Sequence, residues 1–309
     1  MERNGILIID KPAGMTSHDV VARVRRALRE KSVGHLGTLD PMATGVLPLV
    51  LGRMTRIAQF YVDSQKAYEG EIRFGFATTT YDAEGDAVEA ANQRPASELT
   101  LEELRETAKA FTGTISQVPP PFSAKKIAGV PAYKLARKQK PVDLAPVEII
   151  VETLEIEALA HGVATFRSEV AAGTYIRSIA HDLGQKLGTG AHLASLRRTR
   201  SGDFRIEDAH TLAEVEAGTD APEELFIHPR LVLPAFPSVT AASEAIAFIR
   251  NGRAVNLPEM SAAPLIKVYS NQRYLLAICE RVAGTLFRPK VVLYGSNETM
   301  PVPEAAFNS

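Results

Sequence analysis

Apolar and polar residues alternate along the chain with the two periods that distinguish strands from helices. Apolar runs of strand length occur at "GILIID" (5–10) and "GVLPLVLG" (45–52). Looser alternation predicts further strands at "AYEGEIRFG" (67–75), "VEIIVETLEIEAL" (147–159) and "GVATFRSEVAAG" (162–173). Pro48 cannot donate a ladder hydrogen bond, so it favours an edge or irregular position for its strand.

Three stretches carry apolar residues at helical spacing. The first is expected to begin at Ser17 as its cap, with Val20, Val21, Val24 and Leu28 on one face. In the second, Thr100 and Glu103 form a capping box before "LEELRETAKAF", which Gly113 is expected to end. The third is capped at Thr174 and runs through "YIRSIAHDLGQKLG" (175–188).

These elements favour an α+β protein, because strands and helices are mixed without strict β-α-β alternation. Prolines interrupt both periods in "IHPRLVLPAFPSVT" (227–240), and we expect a boundary there. The chain is thus divided into a large domain, 1–234, and a small, mostly β module, 235–309. A Pro-rich basic stretch at about 117–145 lacks periodicity and is expected to be a surface insertion.

Composition narrows the class of protein. The 309 residues are 45% apolar and 23% charged, which is typical of a soluble folded chain. We find neither a run of ~20 apolar residues, as a membrane helix needs, nor the form of a signal peptide, so a cytoplasmic protein is expected. The single cysteine, Cys279, excludes an internal disulfide framework and a cysteine-based zinc cluster.

The formal net charge is only −1, but cations concentrate in two places. "AKKIAGVPAYKLARKQK" (124–140) includes Lys125, Lys126 and Arg137, and "HLASLRRTRSGDFR" (192–205) includes Arg197. Binding to phosphates depends on where cations lie rather than on their sum. Each cluster is either a nucleic-acid surface or an ordinary solvated face.

Asp40 lies in the Gly- and Thr-rich stretch "GHLGTLDPMATG" (34–45) and is held extended by Pro41. It is either a turn former or a functional acid. Arg177 falls in the first turn of the third helix, where a cation is unfavourable by about 0.3–1 kcal/mol unless an anion compensates. If Arg177 is buried beside Asp40, it would lower the pKa of that acid and keep it ionised, as a nucleophile requires. A solvated arginine is the alternative.

Other motifs do not support a metal or nucleotide cofactor. "TSHD" (16–19) brings together Ser, His and Asp, but residues adjacent at a helix start do not face one another, so it is interpreted as a cap. "YDAEGDAV" (81–88) fails as a calcium loop, since Ala87 and Gln93 occupy its glycine and glutamate positions. The seven histidines show no metal-ligand spacing. We therefore expect neither metal nor cofactor.

Taken together, several motifs resemble the bacterial tRNA pseudouridine-55 synthase family, the TruB type, over nearly the whole chain. They are "GILIIDKPAGMTSHDVV", "VGHLGTLDPMATGVLPLVLGRMTR", "KAYEGEIRFG", "VPPPFSAKKIAGVPAYKLAR" and "GTYIRSIAHDLGQKLGTGAHLASLRR". The resemblance implies a mixed, largely antiparallel-sheet pseudouridine synthase fold with a central cleft. The C-terminal module resembles an RNA-binding PUA domain more loosely.

The resemblance also implies roles for particular residues. Asp40 would be the catalytic carboxylate and Arg177 its ion-pair partner. Tyr68 would stack on the target base and be available as the general base. His35 and Tyr175 would contact the substrate nucleotide, and Leu196 would help to wall the pocket.

The implied reaction is isomerisation of uridine 55 in the tRNA T-loop, after base flipping, without metal or cofactor. The basic insertion, with Lys125, Lys126 and Arg137, would clasp the T-stem-loop, with Arg197 as a further RNA contact. The PUA-like module would hold the acceptor-stem side. A monomer is expected. Two other classes remain open: a non-catalytic tRNA-binding or RNA-folding protein, and a metal-dependent nuclease.

Overall fold

The computed structural model describes residues 3–88, 94–123, 125–127, 129–132, 135, 138, 144–218, 222–271 and 274–295. Its helices are α1 (Ser17–Leu28), α2 (Leu101–Ala108), α3 (Ile176–Leu187), α4 (Leu212–Ala217) and α5 (Ser243–Arg250). Its strands are β1 (Gly5–Lys11), β2 (Val33–His35), β3 (Thr44–Leu51), β4 (Lys66–Phe74), β5 (Ala77–Thr78), β6 (Ala87–Val88), β7 (Gly113–Gln117), β8 (Lys126–Ile127), β9 (Val130–Pro131), β10 (Val147–Ala160), β11 (Val163–Val170), β12 (Ala191–Ser201), β13 (Phe204–Arg205), β14 (Ser238–Thr240), β15 (Val255–Asn256), β16 (Leu265–Ser270), β17 (Tyr274–Ala283) and β18 (Leu286–Val292).

A large central sheet organises the fold. Among the described residues it has nine strands, in the order β1-β3-β12-β4-β11-β10-β7, with β2 beside β3 and β13 beside β12. The β3–β12 pair is parallel and the other pairs are antiparallel. The predicted α+β class with a mixed, largely antiparallel sheet is therefore confirmed.

Each face of this sheet is covered by a different layer. Side chains alternate between the faces along a strand, so Leu7 and Ile9 of β1 join one core while Ile6 and Ile8 join the other. The first core includes the apolar faces of α1 and α3. The second includes strands of a separate small sheet, in the order β14-β16-β17-β18-β15.

The segment that leads into the small sheet is bonded to both sides. The hydroxyl of Tyr61, which lies between β3 and β4, accepts a hydrogen bond from the Leu233 amide at 3.0 Å. Lys267 on β16 is buried and donates to the carbonyls of Arg230 and Val232. The two sheets thus share a core and a bonded connection.

Helix ends differ slightly from the sequence predictions. Thr16, not Ser17, caps α1, in a reciprocal capping box with Asp19, because the hydroxyl of Ser17 is bonded to Leu39 instead. Tyr175, not Thr174, precedes α3. Thr100 caps α2 as expected.

Two further points concern strand placement and membranes. Pro48 lies inside β3, opposite Ile8 of β1, where pairing with β12 has ended and the Pro48 carbonyl accepts from the Leu36 amide. In the portion of the chain that the structure describes, every helix is too short or too polar to cross a membrane.

Candidate active site

Asp40 is carried by a loop between β2 and β3 that is anchored at both ends. The Ser17 hydroxyl both donates to the Leu39 carbonyl, at 3.0 Å, and accepts from the Leu39 amide, at 2.9 Å. The carbonyl of Pro41 accepts from the amide of Gly14 and from Nζ of the buried Lys11. These bonds fix the backbone on either side of the acid.

Arg198 on β12 holds the other half of the loop. Its buried guanidinium donates to the carbonyls of Gly37, Thr38 and Val46 at 2.8–3.3 Å. Gly37 has a φ of +126°, which side-chain-bearing residues rarely adopt. The glycine and the arginine together give the loop its path toward Asp40.

The side chain of Asp40 meets Arg177, in the first turn of α3. Nε of Arg177 lies 2.9 Å from Oδ2 of Asp40, and Nη2 donates to Oδ1 at 3.2 Å. The arginine side chain is 5% exposed and that of Asp40 is 34% exposed. The ion pair expected from the resemblance is therefore present, with a partly exposed carboxylate and a buried guanidinium.

Arg177 also contacts a second carboxylate. Nη1 lies 3.4 Å from Oδ2 of Asp82, whose side chain is 4% exposed. The same guanidinium donates to the carbonyls of Thr80 and Phe122, both at 3.0 Å. These acceptors compensate the positive charge at the positive end of the helix macrodipole.

The pKa of Asp40 is set by opposing effects of burial and of neighbouring charges. Burial raises the pKa of this carboxyl above its usual range, while Arg177 opposes the rise and Asp82 adds to it. Arg177 thus lowers the pKa of Asp40 as expected, but the burial of the carboxyl outweighs this contribution. The ion pair still favours the charged form over what burial alone would allow.

Tyr68 and Leu196 lie on the face of the sheet that carries Arg198. Tyr68 on β4 is opposite Arg198 of β12, and Leu196 is opposite Gly70. Residues directly opposite in adjacent strands point to the same side. Leu196 is buried in the core that includes α1 and α3, and Tyr68 packs partly buried against the same core.

His35 is the last residue of β2, and Tyr175 directly precedes α3. Burial lowers the pKa of His35, with His18 adding to the effect, and the two rings meet edge to face at 5.6 Å. Within the described residues, buried Nδ1 of His35 has no hydrogen-bond partner. The backbone amide and carbonyl of Tyr175 are both bonded to the side-chain amide of Gln117, at 2.9 and 3.1 Å.

Of the predicted RNA-contacting cations, the structure describes the side chains of Lys125 and Arg197. Lys125 is exposed, the backbone of Lys126 lies in β8 while its side chain is outside the described residues, and Arg137 lies outside them altogether. Arg197 points to the opposite face of the sheet from Arg198 and pairs with Asp10 at 2.8 and 3.0 Å. Its charge is thus matched within the protein.

Several residues at the site are not indicated by the sequence pattern. In the sequence, Asp82 belongs to a motif that fails as a calcium loop; in the structure, its Oδ1 accepts from the Thr80 hydroxyl and from the Glu84 amide. Arg198 lies in the same basic stretch as Arg197, and strand alternation is the signal that separates their two side chains. Lys11, whose pKa burial lowers to about 8, gave no signal of its own. In the described ranges, no group of three or more His, Cys, Asp and Glu side chains could hold a metal ion.

Two protein-family models together match residues 25–234 of the chain. They describe the N-terminal domain of TruB family pseudouridylate synthase, over residues 25–176, and a tRNA pseudouridylate synthase B C-terminal domain, over residues 177–234. In solved structures, a chain of a Cbf5–Nop10–Gar1 complex has a TM-score of 0.68 and 25% identity, covering 94% of this chain and 85% of that one. Fold and site thus define a pseudouridine synthase.

Curated relatives narrow the class. The tRNA pseudouridine synthase B of Solibacter usitatus is 46% identical over 94% of this chain and 100% of its own length. That of Aquifex aeolicus is 38% identical over 94% of this chain and 99% of its own length. The chain therefore belongs to the TruB family of pseudouridine synthases.

Proposed function

We propose that this protein isomerises the uridine at position 55 of the tRNA T-loop to pseudouridine, with Asp40 as the catalytic carboxylate. The observation that carries the proposal is the ion pair at 2.9 Å between the partly exposed Asp40 and the buried Arg177. Two similar proteins, from Solibacter usitatus and Aquifex aeolicus, are named tRNA pseudouridine synthase B. We propose a cytoplasmic monomer.

The chemistry requires no net oxidation or hydrolysis. The bond between N1 of uracil and C1′ of the ribose breaks, and a bond between C5 and C1′ forms. The C5 proton leaves and N1 gains a proton, so the atoms balance without a cofactor. An ionised carboxylate can begin the exchange by attacking the sugar, attacking the base or removing a sugar proton towards a glycal. In each route Arg177 would keep Asp40 charged and oriented.

The target base must leave its stack before the carboxylate can reach it. Tyr68, on the same face as Arg198, would stack on the extruded uracil, a contact worth about 1–3 kcal/mol in single-stranded complexes. It would also be available as the general base for the C5 proton. Leu196 would form an apolar wall, and neutral His35 and the anchored Tyr175 would contact the nucleotide.

The remaining RNA would be held outside the cleft. In this proposal the catalytic domain is 1–234, and its insertion at about 117–145 clasps the T-stem-loop through Lys125, Lys126 and Arg137. The module at 235–309 acts as a PUA-like RNA-binding domain on the acceptor-stem side. Arg197 is the weakest of the proposed RNA contacts, since Asp10 already pairs with it.

The test compares Asp40→Asn with Asp63→Asn, in which an exposed carboxylate is changed in the same way. Each protein is incubated with an unmodified tRNA transcript and a metal chelator, and the T-loop is probed for pseudouridine. We expect product from the wild type and from Asp63→Asn. For Asp40→Asn we expect a rate at least about a thousandfold lower, equivalent to ~4 kcal/mol in the barrier.

The outcomes separate the three classes of protein. Binding of tRNA should persist in Asp40→Asn, because the change leaves the outer contacts intact. Normal product from Asp40→Asn would refute the catalytic assignment. Wild type that binds tRNA without modifying it would support the non-catalytic alternative, which membership of a synthase family argues against. Cleaved RNA would indicate a nuclease.

A further inference from the structure

In the sequence, Tyr81 lies between Thr80 and Asp82, which both contact the guanidinium of Arg177. The carbonyl of Thr80 accepts from Nη1 of Arg177 at 3.0 Å, and Oδ2 of Asp82 lies 3.4 Å from the same nitrogen. The Thr80 hydroxyl also donates to Oδ1 of Asp82 at 2.5 Å. The backbone conformation of Tyr81 therefore decides whether both acceptors reach the guanidinium.

That conformation is unusual. Tyr81 has a φ of +67°, in the left-handed region that residues with a side chain seldom occupy. Its amide donates to the carbonyl of Thr78 at 3.3 Å, and its carbonyl accepts from the amide of Leu193 at 3.0 Å. Strained positions of this kind persist where the surroundings fix them, and they often lie at functional sites.

A ring stack supplies further restraint. The ring of Tyr81 lies flat on the imidazole of His181, with centroids 3.7 Å apart and an interplanar angle of 11°. His181 is four residues after Arg177 in α3, so both side chains project from one face of the helix. One helix face thus contacts the 80–82 turn twice, through the guanidinium and through the imidazole.

We propose that Tyr81 and His181 are positioning residues for catalysis: their stack holds Asp82 and Thr80 against Arg177, and so sets how Arg177 presents its charge to Asp40. This inference rests on the proposed function. Neither ring touches Asp40 in the described contacts, so the effect is transmitted through the turn and the guanidinium. A displacement of about 1 Å in such a network can lower a rate by about a hundredfold.

The test uses single-turnover rates with saturating enzyme, together with tRNA affinity and thermal melting. Tyr81→Ala and His181→Ala should each slow pseudouridine formation by about tenfold to a hundredfold, with tRNA affinity unchanged. Tyr81→Phe and His181→Phe retain a planar ring and should restore most of the rate. Phe60→Ala, which removes an aromatic pair in the other core, is the matched control and should remain active.

Two further variants separate the stack from backbone strain and from general destabilisation. Tyr81→Gly fits the left-handed φ without strain but lacks the ring, so it should be as slow as Tyr81→Ala; wild-type activity would overturn the proposal. The double variant Tyr81→Ala/His181→Ala should be no slower than the slower single variant, because both remove one contact. Multiplied effects, or equal losses of binding and rate, would also overturn it.

The wild type keeps this inference separate from the proposed function. If wild-type protein forms no pseudouridine, the proposed function fails. If the wild type is active and both alanine variants are equally active, the function stands and the positioning proposal fails.

Discussion

The guanidinium of Arg177 contacts two carboxylates, and one of them, Asp40, determines the pH response that we expect. Burial and the neighbouring Asp82 both raise the pKa of Asp40. If the ionised carboxylate is the reactive form, activity falls as pH drops through that raised pKa. The acid limb of the single-turnover profile should therefore lie above the ordinary Asp value of about 3.9.

Asp82→Asn tests the electrostatic part of this argument. Removing the second negative charge stabilises the ionised Asp40, so its pKa should fall and the acid limb should move to lower pH. The measurement is the midpoint of the limb relative to wild type, whatever the absolute rate. A midpoint that stays in place, or moves upward, would contradict the shared-guanidinium account.

Changing the guanidinium itself gives a complementary prediction. Arg177→Lys keeps the charge but loses the fork that contacts Asp40, Asp82 and two carbonyls. We expect the single-turnover rate to fall by about tenfold to a hundredfold, and by more in Arg177→Ala, with little change in tRNA affinity. A larger loss of binding than of rate would count against the ion pair.

Single residues were only partly predictable from the sequence. Arg177 departs from a local rule, as a cation at a helix start, whereas Asp40 before a proline also suits an ordinary turn and is singled out by the family resemblance. Asp82 and Arg198 obey local rules, and their importance comes from partners 95 and more than 150 residues away in sequence. Periodicity carries no information about such contacts.

At the scale of elements, α1 shows how one helix start serves two purposes. Thr16 caps the helix, whereas the adjacent Ser17 uses its hydroxyl to hold the loop of Asp40. Thr16→Ala should lower the free energy of unfolding by about 1 kcal/mol with the reaction rate unchanged. Ser17→Ala should cost about 1–3 kcal/mol and also slow the reaction, since two buried backbone groups of Leu39 lose their partner.

Chemical denaturation combined with single-turnover assays would measure both effects. Equal rates in the two variants would show that the serine–leucine bonds are not needed to orient Asp40.

The elements themselves followed from periodicity, but their ends did not. Ser17 was expected as the cap because it precedes the apolar face, yet a distant loop claims its hydroxyl. Pro48 was assigned to an edge or irregular position, and it is tolerated within β3 because ladder partners change there from β12 to β2. At both positions, contacts with residues distant in sequence outweigh the local preference of the residue.

At the scale of the whole molecule, the net charge of −1 does not prevent a local concentration of cations in the sequence at 124–140. Lys125 is exposed in the basic insertion. If it contacts a tRNA phosphate, Lys125→Ala should weaken binding and reduce the slope of log K against log salt by about one unit. Lys109→Ala removes an exposed lysine that pairs with Glu106 and is the control. An unchanged slope would return Lys125 to ordinary solvated surface.

Cys279 offers a probe of how the two sheets are coupled. It is fully buried in β17, and burial raises the pKa of its thiol to about 12. Native protein should therefore resist a thiol reagent, because the reactive thiolate is scarce and shielded. In rising urea, labelling of Cys279 should coincide with loss of the central helices measured by circular dichroism. Labelling at clearly lower urea would indicate separate unfolding.

The core shared by the two sheets limits how this protein can be shortened. Ile6 and Ile8 of the first strand pack with residues as distant in sequence as Ile266 and Ile278. A truncated chain ending near residue 234 would leave these isoleucines exposed in a broad apolar surface, which promotes aggregation. During synthesis β1 emerges long before the strands of the small sheet, so its isoleucines stay unprotected until that sheet has folded against them.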